Sequence, residues 1–178
     1  AVQNPATLPL DKLSDYIYEH HHRYLERITP TILGLLEKVS HRHGTQHPEL
    51  KELKDLFQKS AGELAVHMKK EELILFPFIK NLVRAKTAHT KAGSKLFNTV
   101  KSPIQMMEDE HDHEGLMLKH MAELTNNFSI PAGACNSFSS LYKLMDEYSR
   151  DIHQHIHLEN NVLFPGTVAL ETELQRPS

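Results

Sequence analysis

From Leu10 to Val39 the apolar side chains recur every three or four residues: Leu10, Leu13, Ile17, Tyr24, Leu25, Ile28, Ile32, Leu35 and Val39. That is the period of one helix face, and it predicts a first helix from about residue 10 to residue 40. Residues 41 to 47 are polar and include Gly44. Pro48, well suited to a first turn, opens a second helix whose stripe carries Leu50, Leu53, Leu56, Phe57, Leu64, Leu75 and Phe78. Pro77 and the basic stretch after it predict an end or a kink. Residues 86 to 101, with Gly93 and Ser94, read as a loop. Pro103 opens a third helix to about Asn127, Pro131-Ala132-Gly133 marks a turn, and a fourth helix runs from near Asn136 to Pro165. No β-branched run alternates and no Asn-Gly or Asp-Gly hairpin occurs, so the fold class is all-α. Helices of 25 to 30 residues are about 40 Å long. Four of them joined by modest loops pack as an antiparallel up-down-up-down bundle.

The chain is also written twice. HMKKEELILFP (67–77) returns as HIHLENNVLFP (155–165), each reading His-x3-Glu-x3-Leu-Phe-Pro at an offset of 88 residues. The repeat predicts two stacked helix hairpins within one domain, residues 1–178.

Residues four apart share a helix face, so His67 with Glu71 and His155 with Glu159 point together, in phase with the apolar stripe. A carboxylate and an imidazole facing a core are costly unless paired. A metal satisfies both, because it binds neutral imidazole and ionised carboxylate together. On the third helix His111 shares a face with Ile104, Met107, Leu118 and Ala122. The first helix offers His22, in phase with Tyr18, Leu25, Ile32 and Leu36, or His21, nearer Ile17, Tyr24, Ile28 and Leu35. Periodicity does not choose between them. Four imidazoles and two carboxylates are too many for one zinc; they suit two metals bridged by the carboxylates. Glu63 and Asp151, each one turn before a His, and Glu110, next to His111, are the candidates for hydrogen bonds to those imidazoles, proton delivery or a route for the metal.

Composition narrows the function classes. Of 178 residues, 24% are charged and 39% hydrophobic, with a formal charge of −3 and no long basic run, which argues against nucleic acid or an anionic membrane as partner. No apolar run is long enough to span a bilayer, and no signal peptide is visible. Cys135 is the single cysteine, which rules out an internal disulfide or a Cys-based zinc finger and fits a reducing, cytoplasmic compartment; it reads as a loop or helix-start residue. Of the 14 His, His41, His43, His47, His89 and His120 stand singly in polar stretches and read as filler.

The motifs HHRYLERITP, HMKKEELILFPFI, the stretch from Pro103 to Gly115, and ACNSF followed by HIHLENNVLFP resemble the hemerythrin-like (HHE cation-binding) domain over nearly the whole chain. Within it the chain is most similar to the bacterial di-iron proteins that repair iron centres. The resemblance favours His22 over His21. It implies His22, His67, His111 and His155 as terminal ligands, and Glu71 and Glu159 as bridges between two Fe ions that also share an oxo or hydroxo bridge. Oxygen-carrying relatives have a further His one turn after the third-helix ligand, where this chain has Gly115. They also have a carboxylate five residues after the last His, where it has Asn160. Five ligands per iron would leave an exchangeable sixth position on each, which favours reactivity over reversible storage. A pair of ferric ions so bridged would keep about +2 of charge, which nearby carboxylates should offset; the resemblance favours Glu63 and Glu110. Repair proteins often carry a small N-terminal domain with a Cys-Cys pair, and no such pair occurs here.

The function this implies is repair of iron–sulfur clusters damaged by nitrosative or oxidative stress, through binding or reduction of NO or oxygen species, or through donation of iron. Residues alone do not choose between turnover and donation. The partners would be NO or oxygen species and damaged iron–sulfur proteins, with the chain as monomer or homodimer. The alternative is a hemerythrin-like oxygen sensor or carrier.

Overall fold

Four long helices carry the chain, as the apolar stripes predict. In the computed structural model, which describes residues 4–90 and 99–175, α1 covers residues 10–43, α2 residues 49–87, α3 Lys101–Leu124 and α4 residues 136–175. A single 3-10 turn, Pro5–Thr7, precedes them, and there is no strand among the described residues. The start of α1 packs against the ends of α2 and α4, while its second half packs against the starts of both, so the helices run antiparallel. α3 completes the ring between α2 and α4. No helix among the described residues is long and apolar enough to cross a membrane.

Three of the four helices contain a π-helical turn: Ile17–His22 in α1, Glu71–Leu75 in α2 and Glu159–Leu163 in α4. At the end of each turn an amide bonds five residues back: Arg23 to Tyr18, Phe76 to Glu71 and Phe164 to Glu159. These turns correct two expected boundaries. Pro77 and Pro165 do not end their helices, which continue as Phe76–Thr87 and Phe164–Gln175. A proline lacks a donor and its ring crowds the preceding turn. In both copies the ladder has already widened just before it, which accommodates the ring. The loop expected over residues 86–101 is shorter at both ends, with α2 reaching Thr87 and α3 starting at Lys101; residues 91–98 lie outside the described residues. α3 has no side-chain cap of its own. Glu171 of α4 supplies an acceptor there, taking the Val100 N–H at 2.9 Å and the Thr99 hydroxyl at 2.7 Å.

The interior divides into two apolar clusters. One contains Leu25, Ile32, Phe57, Leu118, Tyr142 and Ile152; the other contains Leu13, Ile17, Phe78, Ile79, Ile104 and Leu163. His22, His67, Glu71, His111, His155 and Glu159, all buried, fall at the junction between them. The two clusters supply the burial that holds the bundle together, and the polar layer between them is fixed from above and below.

Candidate metal centre

Six buried side chains from all four helices meet in that layer, in two overlapping sets: His22, His155, Glu71 and Glu159, and His67, His111, Glu71 and Glu159. Within each set the potential ligand atoms lie within 4.8 Å of one another. None of the six is more than 4% exposed. His21 is buried too, but it turns aside, its Nδ1–H donating to Asp151 at 3.0 Å and its ring stacking on His155. The π turn brings both neighbouring imidazoles inward, and only His22 enters the two sets.

The carboxylates straddle the sets. Glu71 Oε1 lies 3.3 Å from His67 Nε2, and its Oε2 lies 3.2 Å from His22 Nε2. Glu159 Oε1 lies 2.7 Å from His155 Nε2, and its Oε2 lies 2.9 Å from His111 Nε2. Each glutamate thus turns one oxygen to each set. Within a set the imidazoles face one another, Nε2 to Nε2, at 3.2 Å for His22 and His155 and 3.0 Å for His67 and His111.

The outer nitrogens fix which inner nitrogen faces the centre. His22 Nδ1–H donates to Glu72 at 3.0 Å, His67 Nδ1–H to Glu110 at 2.7 Å, and His111 Nδ1–H to Asn160 at 2.7 Å. A neutral imidazole held this way presents its Nε2 lone pair inward, as ligating histidines do. His155 Nδ1 has no hydrogen-bond partner. Of the three carboxylates expected around these rings, Glu110 touches one. Glu63 instead accepts from the exposed His113 at 3.0 Å, and Asp151 from His21. Sequence reasoning missed Glu72 and Asn160. The signal that could have found them is the repeat itself, which sets them at equivalent places directly after Glu71 and Glu159.

Electrostatics make the layer expensive without a cation. Burial pushes the Glu71 carboxyl up, but the imidazoles of His67, His155 and His22 outweigh it and hold the group well below the ordinary carboxylate range. Burial and the charge of Glu71 both push Glu159 up, and His155 and His111 still bring it below its ordinary value. Burial pulls the imidazoles down, yet Glu71 raises His67 to about 9 and Glu159 raises His155 to about 10. Both oxygens of Glu71 and Oε2 of Glu159 are buried without a hydrogen bond of proper geometry. Buried carboxylate oxygens without a well-formed hydrogen bond, ringed by inward Nε2 atoms that become ligands once they give up their protons, are a donor set that fits a metal. Nitrogen and carboxylate ligands without thiolate suit iron, among other first-row ions.

A cavity of about 540 Å3 opens between α2 and α3 and reaches the layer at His67, His111 and His155. Glu110, tied to both His67 and Lys70, lines it together with Glu63 and Glu114. Gly62 lies on the same wall, and a Cβ there or at Gly115 would meet nothing within 4 Å.

Comparison with known proteins agrees with this geometry. The chain is similar to the iron-sulfur cluster repair protein YtfE of Yersinia pseudotuberculosis serotype IB (strain PB1/+), 37% identical over 158 residues, which cover 88% of this chain and 65% of the relative. The YtfE of Yersinia pestis (strain Pestoides F) matches at the same identity and coverage. A probable iron-sulfur cluster repair protein of Haemophilus influenzae is 36% identical over 155 residues, 87% of this chain and 63% of the relative. The chain therefore spans 63–65% of the length of these relatives. A family model, the hemerythrin HHE cation binding domain, matches residues 14–166. With that match reaching all four helices and including every residue of the two buried ligand sets, the chain belongs to the hemerythrin HHE cation-binding domain family.

Proposed function

We propose that this chain is a non-haem di-iron protein that takes part in the repair of iron–sulfur clusters damaged by nitrosative or oxidative stress. His22 and His155 would hold one iron, His67 and His111 the other, and Glu71 and Glu159 would bridge them. The observation that carries the reading is the straddling of the carboxylates, each with one oxygen toward either pair of imidazoles. Names borne by relatives at 36–37% identity support the repair role. When bound, a pair of irons supplies one-electron redox chemistry and coordination positions for NO or oxygen species.

The protein's own residues set the conditions for that chemistry. Glu72, Glu110 and Asn160 orient the imidazoles and fix their tautomers. Phe76 stacks on His22 and Phe164 on His111, which keeps water from two of the rings. The cavity between α2 and α3 admits small molecules on the side of His67 and His111. Glu110, bound to Lys70 and His67 at that wall, can pass a proton between the cavity and the outer nitrogen of His67.

The test is to load the purified chain with Fe(II) and add it to a hydro-lyase whose [4Fe–4S] cluster has been damaged by NO. Wild type should restore hydro-lyase activity, and a Glu71→Ala/Glu159→Ala variant should not. Equal recovery with both, or with free Fe(II) alone, would remove the repair role. Reversible oxygen binding by the ferrous chain, with no recovery of the damaged cluster, would favour an oxygen carrier or sensor.

A further inference from the structure

Outside the buried layer, α4 carries two more histidines one turn apart. His153 and His157 are both exposed and four residues apart, so their rings rise from the same side of the helix with Cβ atoms about 5–6 Å apart. They line a groove between α1 and α4, on the flank of the bundle away from the cavity between α2 and α3. Tyr16 and His21 of α1 form the facing wall. Each exposed ring is engaged at Nδ1 by its own helix. His153 Nδ1–H donates to the Ser149 carbonyl at 2.7 Å, and the side-chain amide of Asn161 lies 2.8 Å from His157 Nδ1. Nε2 is the nitrogen left free on both.

His21 is 5% exposed, and its Nδ1–H donates to Asp151 at 3.0 Å, so the neutral ring keeps its lone pair on Nε2. That nitrogen has no hydrogen bond among the described residues. A carboxylate behind an imidazole whose other nitrogen stands unbonded beside a groove is the arrangement of a ligating histidine. Asp151 offers more than His21 uses, because its Oδ2 is buried and has no hydrogen bond. A free lone pair and a surplus carboxylate oxygen, both withdrawn from water, favour a cation in the groove. Packing alone would be met by an apolar ring at position 21, which could stack on His155 and meet Tyr16 as His21 does. The three rings are not gathered within 4.8 Å as the buried sets are. Two of them stand on exposed side chains, whose rotation between staggered conformers lets them close on an ion.

We propose that His153, His157 and His21 form an outer binding site for a single divalent transition-metal ion of the class that prefers imidazole, such as Zn(II), Ni(II) or Fe(II), with Asp151 holding His21 in the ligating tautomer. Histidines one turn apart on a helix are a common half of such a site. Three nitrogens leave a further position for water. The site shares no ligand with the buried layer, so it stands independently of the di-iron reading.

The experiment is a calorimetric titration of the iron-loaded chain with Zn(II), with iron and zinc contents measured on the same samples. Wild type should bind one zinc more per chain than His153→Ala/His157→Ala does, without losing iron. Both substitutions fall at exposed positions, so this variant keeps its core. Its zinc affinity at the groove should fall by at least the roughly tenfold to hundredfold that loss of a group behind a ligand costs. His21→Phe, which keeps a ring against His155 and removes the nitrogens, should weaken zinc by at least roughly tenfold. Equal zinc binding by wild type and the exposed-pair variant would show adventitious uptake elsewhere and overturn the site. Wild-type zinc affinity in His21→Phe would overturn it as well, by reducing it to a surface pair. Asp151→Ala makes the same test should the phenylalanine variant fail to fold, and an unchanged zinc constant there overturns the site likewise. A chain that holds no iron would defeat the di-iron reading, while the difference of one zinc between wild type and the exposed-pair variant would still support the outer site.

Discussion

Glu72 and Asn160 occupy equivalent places in the two halves of the bundle, 88 residues apart, and each accepts the Nδ1–H of a buried imidazole, that of His22 in one case and His111 in the other. The backbone repeat is kept while the charge is not. The His22/His155 pair has a carboxylate behind one ring, and the His67/His111 pair has a carboxylate (Glu110) behind one and an amide behind the other. A carboxylate behind a ligating imidazole makes it more basic and orients it, and its loss typically costs tenfold to a hundredfold in metal affinity. Glu72→Gln should therefore weaken one of the two metal-binding steps by about that factor, and Asn160→Asp should strengthen the other. Competition with a chromophoric chelator measures both; identical curves for the two variants and wild type would show that the outer hydrogen bonds do not tune the centre.

Metal uptake should displace protons. His67 is raised to about 9 and His155 to about 10, each against an ordinary 6.5, so both carry a proton at pH 7.5 when a chelator has stripped the protein. Ligation needs their lone pairs, so loading should release about two protons per chain from these rings. Calorimetry in buffers of different ionisation enthalpy reads that number, and heats that do not depend on the buffer would contradict it. The sign for stability follows. A raised imidazole pKa stabilises the folded state below the unfolded value of 6.5, and that stability is lost as pH rises through 9 to 10. The stripped chain should therefore melt at lower temperature at pH 10 than at pH 7.

Glu114 gives a pH dependence of its own. Its pKa is raised above the ordinary 4.5, so the folded state binds its proton more tightly than the unfolded state does. That preference is fully present below pH 4.5 and is lost as pH rises through the folded value. Glu114→Gln is neutral throughout. Its melting temperature should gain on wild type as pH rises above 4.5, and equal temperatures there would mean the carboxyl is better solvated than its 5% exposure implies.

Phe76 and Phe164 follow the two π turns directly and stack on His22 and His111 at centroid distances of 5.6 and 5.8 Å. Both are at most 4% exposed. Replacing either by Ala should cost about 3–5 kcal/mol by chemical denaturation and also weaken metal retention, because the ring that holds the imidazole plane is gone. A variant that loses stability but keeps its metal would separate packing from the centre.

Much of this was legible in the sequence, for identifiable reasons. The helices follow from the spacing of Leu10, Leu13 and Ile17 and its continuation, because burial of one face dominates a bundle. The meeting of His67, Glu71, His155 and Glu159 follows from same-face spacing and the repeat. The π turns did not show, because propensity and periodicity speak to the ordinary ladder. Pro77 therefore reads as an end or a kink and Pro165 as a helix end, where each follows a widening of a helix that continues. Glu63 and Asp151 share a face with the histidines that follow them, but a ring reaching inward turns its outer nitrogen toward the next helix. The partner of His67 accordingly comes from α3 as Glu110, and that of His22 from α2 as Glu72. Contacts across helices of this kind are set by packing, which one sequence does not display.

The central claim is that two ions sit between Glu71 and Glu159. Metal analysis of the iron-reconstituted chain, wild type beside Glu71→Ala/Glu159→Ala, tests it most directly. The account predicts about two irons per wild-type chain, one for each of the two ligand sets, and the loss of both irons or of their spin coupling in the double variant. A single iron in wild type, or two coupled irons retained without either carboxylate, would contradict it.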